Sequence, residues 1–195
     1  MKKLLATLVL ALALGLLAVG CGSSGDDSSS NTSASAGACE PGNLPTETAG
    51  VLTVATDKPA FPPYFEDDDP TNGEGFESAV AYAIAKQLGY PPAKVKWTVE
   101  PFNSSYAPGP KDFDFDVNQI SISPVREKAV DFSAPYYTAN QAVLALKDSD
   151  AAKATTIEDL KDVQFGVQLG TTSLSATEEV IDPSSKPEVF NNSTD

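Results

Sequence analysis

The stretch "FDVNQISISPVREKA", residues 115–129, changes character halfway along. Its first nine residues alternate apolar and short hydrogen-bonding side chains and predict a strand. Pro124 then opens a short helical turn that runs through Ala129. A strand that carries Asn118, Ser121 and Ser123 therefore stops at a sheet edge, where backbone N–H groups are left open. Arg126 sits one turn further on, close enough to reach back over them. A guanidinium offers a planar fork that donates two parallel hydrogen bonds to a carboxylate, so Arg126 is either the centre of a binding site or a surface group paired with Glu127 or Asp131. A surface pair of that kind contributes little.

Working outward, "VLTVATD" (residues 51–57) predicts a buried strand, and the prolines of "KPAFPPYF" (58–65) end it. "EDDDPTNGEGF" (66–76) is an acidic loop with an Asn72-Gly73 turn signal. "ESAVAYAIAKQLGY" (77–90) predicts a helix with Val80, Ile84 and Leu88 on its buried face and Gly89 as its stop. "KVKWTVE" (94–100) alternates as a strand with Val95, Trp97 and Val99 on one face. Further along, the reading is a strand at 140–147, a short helix at 156–162, a strand at 163–169, a turn at 170–173, a helix at 174–180 and a strand at 187–190. Alternating strands and helices predict an α/β fold with a mostly parallel sheet, whose ligands collect at the carboxyl ends of the strands.

Two further clusters stand at such strand ends. In "GVQLGTTS" (166–173) a strand meets a glycine and then Thr171 and Thr172 at a helix start. Backbone N–H groups there favour an anion, or one threonine is simply an N-cap. Phe61, Tyr64 and Phe102 each follow a strand beside prolines, and either line a pocket or close the core. Asp57, at the end of the first strand, faces a ligand or fixes its loop.

Composition excludes several classes. The formal charge is −14 over 195 residues, which opposes binding to nucleic acid phosphates. There is no histidine, so the usual general base and the commonest zinc ligand are missing. No P-loop, Cys-x-x-Cys pair or catalytic Ser/His pair occurs, and no cofactor is expected. "DDDPTNGE" matches a calcium loop only loosely, with Gly73 one place late, and no metal is expected.

The first twenty residues read as an export signal: "MKK" is followed by the apolar run "LLATLVLALALGLLAV". Cys21 follows small residues and resembles a lipidation site, with ordinary signal cleavage as the other reading. "GSSGDDSSSNTSASAGA" (22–38) has almost no apolar bulk and predicts a flexible tether. Cys39 is then an odd thiol.

Taken in order, these segments resemble the bacterial extracellular solute-binding proteins of family 3, the amino-acid receptors of ABC importers. "LTVATDKPAFPPYF" is similar to the family's first strand and aromatic loop, and "GFESAVAYAIAKQLG" to its glycine-phenylalanine-acid helix start, with Glu77 and Ser78 in place of the usual residues. "ISISPVREKAVDFSAPYY" is similar to its most specific segment, with Val125 where an acid is frequent. "FGVQLGTTS" resembles the strand, turn and helix of the second lobe.

The resemblance implies a type II periplasmic-binding-protein-like fold, a two-lobed α/β domain with mixed, mostly parallel sheets and an incomplete second lobe. The organisation it implies is a signal at 1–20, a lipid-anchored tether at 21–50, lobe 1 at 51–139 and the start of lobe 2 at 140–195. Arg126 would grip the ligand's α-carboxylate. Ser121 would add its N–H to that grip and its hydroxyl to the ammonium, and Asn118 and Gln119 would face the ligand beside it. Thr171 and Thr172 would contribute from the opposite lobe, Phe102, Phe61 and Tyr64 would stack on the ligand, and Asp57 would lie at the rim. The expected function is capture of a polar amino acid outside the cytoplasmic membrane for an ABC permease, with no catalysis. The alternatives are an exported enzyme on the same fold, of the cyclohexadienyl or arogenate dehydratase kind, and a sensory ligand-binding lobe.

Overall fold

A computed structural model of the chain describes Glu40 and residues 42–194. The predicted signal, Cys21, Cys39 and most of the tether lie outside the described residues. Among the described residues no helix is long and apolar enough to cross a membrane.

The first sheet has three parallel strands in the order β2-β1-β3. β1 (Leu52–Thr56) is central and buried along its whole length. β2 (Val95–Val99) pairs with it from Leu52 opposite Val95 to Thr56 opposite Val99. β3 (Phe115–Asp116) is shorter than the predicted strand and sets Asp116 opposite Ala55. Beyond Val117, whose N–H still donates to the Ala55 carbonyl at 3.0 Å, the ladder ends. The next residues are extended chain free to present side chains instead.

α1 (Phe76–Gln87) covers one face of this sheet, and Gly89, at φ +81°, follows its end as predicted. Its packed face corrects the prediction: Ser78, Ala81 and Ala85 are buried, whereas Val80 is only half-buried and Ile84 is exposed. Small side chains let the helix axis come close to Leu52 and Val54, and the bulkier residues are left outside. Gly75, before α1, has φ +86°, and a Cβ there would come within 2.5 Å of the Tyr64 carbonyl oxygen. That close approach seats the helix start beside the loop after β1. On β2, Val95 and Trp97 pack on the core, but Val99 is exposed.

Residues 42–50, placed in the tether by the domain division drawn from the sequence, are packed. The Gly42 N–H donates to the Leu88 carbonyl at 2.7 Å, and Leu44 lies against the Leu52, Ala85 and Tyr90 cluster. One carboxylate fastens the segment, because Asp114 accepts the Glu47 N–H at 2.7 Å and the Thr53 N–H at 2.6 Å. Leu44 gives this stretch a large apolar side chain, a type absent from the sequence at 22–38.

The second sheet pairs β4 (Gly166–Gln168) and β5 (Glu188–Phe190) in parallel. Between them run α3 (Thr172–Ala176) and a π-helical turn (Thr177–Ile181), over a small core of Leu160, Phe165 and Ile181. The strand predicted at 140–147 does not form. That segment joins no ladder among the described residues, and Leu144 and Leu146 are 99% and 83% exposed. The helix predicted at 156–162 is a single 3-10 turn, Glu158–Leu160.

Thr171 caps α3, accepting the Leu174 N–H at 3.2 Å. Thr171→Ala is expected to cost about 1 kcal/mol, measured by denaturant unfolding, the ordinary value of such a cap. An unchanged midpoint would show that α3 does not depend on it.

Candidate functional site

The turn after β3 settles where Arg126 points. A 3-10 turn, Arg126–Lys128, follows Pro124 and Val125 and folds the side chain inward. Arg126 is 7% exposed, and neither Glu127 nor Asp131 pairs with it. Its Nη1 donates to the Ser121 carbonyl at 2.7 Å, and its Nη2 donates to the Gly170 carbonyl at 2.8 Å. The guanidinium carbon lies 4.2 Å from the Tyr106 ring centroid and 5.6 Å from that of Phe102. The fork is thus held by two carbonyls and by two aromatic rings that stand nearly perpendicular to each other, with no carboxylate partner among the described residues.

Gly170 belongs to the turn after β4, so Arg126 links the two sheets' strand ends. The same carbonyl accepts the Tyr106 hydroxyl at 3.1 Å. Gly170 has φ +77°, and a Cβ there would stand 2.1 Å from Asn103 Oδ1. Nearby, Ser121 Oγ and Thr172 Oγ1 are 3.4 Å apart. Gln141 Nε2 donates to Thr172 Oγ1 at 3.1 Å, and Ser173 donates to Gln141 Oε1 at 2.8 Å.

These groups border a cavity of about 620 Å³. All ten residues expected at the site line it: Arg126, Ser121, Gln119, Asn118, Thr172, Thr171, Phe102, Asp57, Phe61 and Tyr64. Their conditions differ. Asn118 is buried, and its Nδ2 has no hydrogen-bond partner among the described residues. Asp57 accepts the Lys58 N–H at 2.7 Å, so the carboxylate also fixes its own loop. Tyr64 stands edge-on to Tyr137 at 6.3 Å, and burial, then the neighbouring Tyr137 and Glu77, push its hydroxyl above the usual tyrosine range. Phe61 is partly exposed at the cavity's edge.

Three contributors stand outside the ligand set expected from the sequence. Tyr106 holds Arg126, yet it lies in the loop after α2 (Phe102–Ser105), where no local pattern marks it. Glu77 is wholly buried at the start of α1 and lines the cavity, and Tyr136 reaches it from the segment beyond Arg126. The signal for Glu77 was an acid at a helix start, a position that fits a surface residue equally well. Tyr136 has its hydroxyl pushed far above the usual range, first by burial and then by its hydrogen bond to Glu77.

The residues of the loosely calcium-like loop are otherwise engaged. Asp68 accepts the Ala60 N–H and bonds the Lys58 ammonium, and Asp69 accepts the Thr71 N–H and hydroxyl. Among the described residues no cluster of acidic side chains is arranged to hold a metal ion.

The buried guanidinium at one strand end and the threonine-bearing turn at the other border a single pocket. Residues 52–189 match the bacterial extracellular solute-binding proteins, family 3, and the chain belongs to that family. It is 34% identical over 134 residues to the arginine-binding extracellular protein ArtP of Bacillus subtilis (strain 168), covering 68% of this chain and 50% of that one. It is 32% identical over 126 residues to the arginine-binding periplasmic protein of Mannheimia haemolytica, covering 64% of this chain and 48% of that one. The L-cystine-binding protein TcyJ of Escherichia coli (strain K12) is 33% identical over 126 residues, with 63% and 44% covered. The chain spans about half the length of these relatives.

Among solved structures, an ancestral arginine-binding protein bound to glutamine is 34% identical, with a TM-score of 0.61 over 75% of this chain and 63% of that one. The ancestral amino acid-binding protein AncCDT-1, a precursor of cyclohexadienyl dehydratase, is 36% identical with the same TM-score of 0.61, over 74% of this chain and 62% of that one. The fold is accordingly that of the type II periplasmic binding proteins, as the sequence predicts.

Proposed function

We propose that the chain is the ligand-capturing part of an amino-acid ABC importer, working outside the cytoplasmic membrane and held there through lipidated Cys21. The reading rests above all on one observation: a buried guanidinium borders a cavity and no carboxylate of the described residues pairs with it. Such a group is costly unless it is neutralised, and the α-carboxylate of an amino acid supplies the charge and the planar acceptor geometry.

On this reading Arg126 and the Ser121 N–H hold the carboxylate, while the Ser121 hydroxyl and the Gln119 carbonyl take the ammonium. Thr171 and Thr172 approach from the second lobe. Phe61, Tyr64 and Phe102 supply aromatic faces for the ligand's side chain, and Asp57 supplies a negative charge at the rim. Aromatic rings beside a carboxylate suit a cationic side chain. That chemistry and the arginine-binding relatives make L-arginine the first ligand to test. Lobe 1 is taken as 51–139, lobe 2 as starting at 140, and the hinge as lying near 138–142. Ligand binding favours closure because each lobe carries part of its hydrogen-bond set.

An enzyme on the same fold needs a free acid in the cleft. Glu77 acts as acceptor in all three of its hydrogen bonds, and Asp57 is turned to its own loop, so binding without turnover is the reading adopted.

A thermal-shift series over the common amino acids tests the proposal. L-arginine or another polar amino acid is expected to raise the unfolding midpoint in a concentration-dependent way, as any ligand specific to the native state does. No shift with any amino acid, at concentrations up to millimolar, would reject it.

A further inference from the structure

We propose that Glu77 is a positioning residue for ligand binding, which sets the ligand-facing end of the third strand and ties it to the segment leading toward the hinge. The inference rests on the amino-acid-binding reading and deepens it, since it names what holds that site in shape.

Glu77 is 0% exposed, and every hydrogen bond it makes among the described residues goes to one of two chain segments. Its Oε1 accepts the Gln119 N–H at 2.8 Å and the Tyr136 hydroxyl at 2.6 Å. Its Oε2 accepts the side-chain amide of the same Gln119. A carboxylate is the side chain suited to this, because it has two oxygens and only accepts. One residue of α1 therefore fastens both ends of Gln119 and the ring of Tyr136.

Gln119 needs the help. Its φ is +47°, the left-handed region that side-chain-bearing residues seldom occupy, and it lies past the last ladder bond of β3. Nothing in a sheet holds this residue, yet its backbone follows Asn118 and precedes Ser121, both at the cavity. The bond from Gln119 N–H and the bond from its amide together define its φ and its side-chain rotamer. Tyr136 is bound to the same oxygen and lines the same cavity, shortly before the proposed hinge. A change in the one segment is thereby felt by the other through a single buried carboxylate.

The test compares Glu77→Gln in the parent chain and in a Gln119→Gly background, with L-arginine as the probe in calorimetry. The amide of Glu77→Gln sets an NH₂ group against the Gln119 NH₂ group, two donors facing each other. In the parent background affinity is expected to fall by about tenfold, and in the glycine background by less than about threefold, the mark of coupled residues. Hydrogen exchange supplies an arm that needs no ligand: protection of the Gln119 N–H, which Glu77 Oε1 accepts, should fall by about tenfold while β1 is unchanged. Equal affinity losses in both backgrounds, or unchanged exchange at the Gln119 N–H, would overturn the proposal. If the parent does not bind L-arginine, calorimetry counts against the arginine assignment and exchange alone decides the role of Glu77. Should Glu77→Gln not fold, Tyr136→Phe removes one bond only; faster exchange of the Gln119 N–H, which shares the same carboxylate oxygen, supports the tie, and unchanged exchange refutes it.

Discussion

Arg126→Ala is expected to weaken amino-acid binding by at least about a hundredfold, close to 2.8 kcal/mol. The size follows from burial. A ligand carboxylate that enters the cavity leaves water, and only a matched cation repays that desolvation. Alanine also strips the Ser121 carbonyl of the guanidinium donor and leaves the Gly170 carbonyl only the Tyr106 hydroxyl among its side-chain donors, and it removes the cation that lies over the Tyr106 and Phe102 rings. Because that loss has a structural part, Arg126→Lys is the companion variant. Lysine keeps the charge but not the planar fork, and it is expected to lose at least about tenfold while unfolding near the parent midpoint. Calorimetry at constant ionic strength reads both. Parent-like affinity in the alanine variant would remove Arg126 from the site.

Asp116 carries the second large effect, on stability against pH. It pairs in the ladder opposite Ala55, and both carboxylate oxygens are buried without a hydrogen-bond partner among the described residues. Burial is the main cause that pushes its pKa up to about 8; Glu77, Glu100 and Asp57 add to the rise, and Lys111 opposes it. The unfolded chain releases the same proton near the ordinary aspartate value of about 3.9. Between those two values the native state holds a proton that the unfolded state has lost, so stability falls as pH rises through the window. The slope is at most about 1.4 kcal/mol per pH unit from this group. Urea unfolding of the parent is therefore expected to weaken by a few kcal/mol between pH 5 and pH 8. Asp116→Asn, neutral throughout, should flatten that dependence and be the more stable protein at pH 8. If both proteins show the same pH dependence, Asp116 is not its source.

How far the sequence could be read depended on whether a feature was local. The first strand is legible because Val51, Thr53 and Val54 are β-branched and Leu52 keeps the run apolar, and the prolines at 59, 62 and 63 end it. The turn at Arg126 and the glycine-threonine turn are legible because each depends on residues within a few positions. The packed face of α1 was misread because bulk was used as the guide, whereas close packing against β1 selects Ala81 and Ala85. Residues 142–146 are a short apolar run of the kind strands use, but a ladder also requires a neighbour with matching groups, which no short window reveals. Tyr106 and Tyr136 escaped for the same reason: what gives them meaning lies 20 and 59 positions away. The acid at position 77 was visible, but its burial was not.

The ladderless ribbon at 140–147 bears on how the chain behaves in the test tube. Its Leu144 and Leu146 project into solvent from backbone that pairs with no neighbouring strand among the described residues. Two such ribbons meeting edge to edge would zip together, and the chief deterrent is the mutual repulsion of molecules that each bear a formal charge of −14. Added salt mutes that repulsion, so clumping should set in as ionic strength climbs, and dilute low-salt buffers should keep the molecules apart.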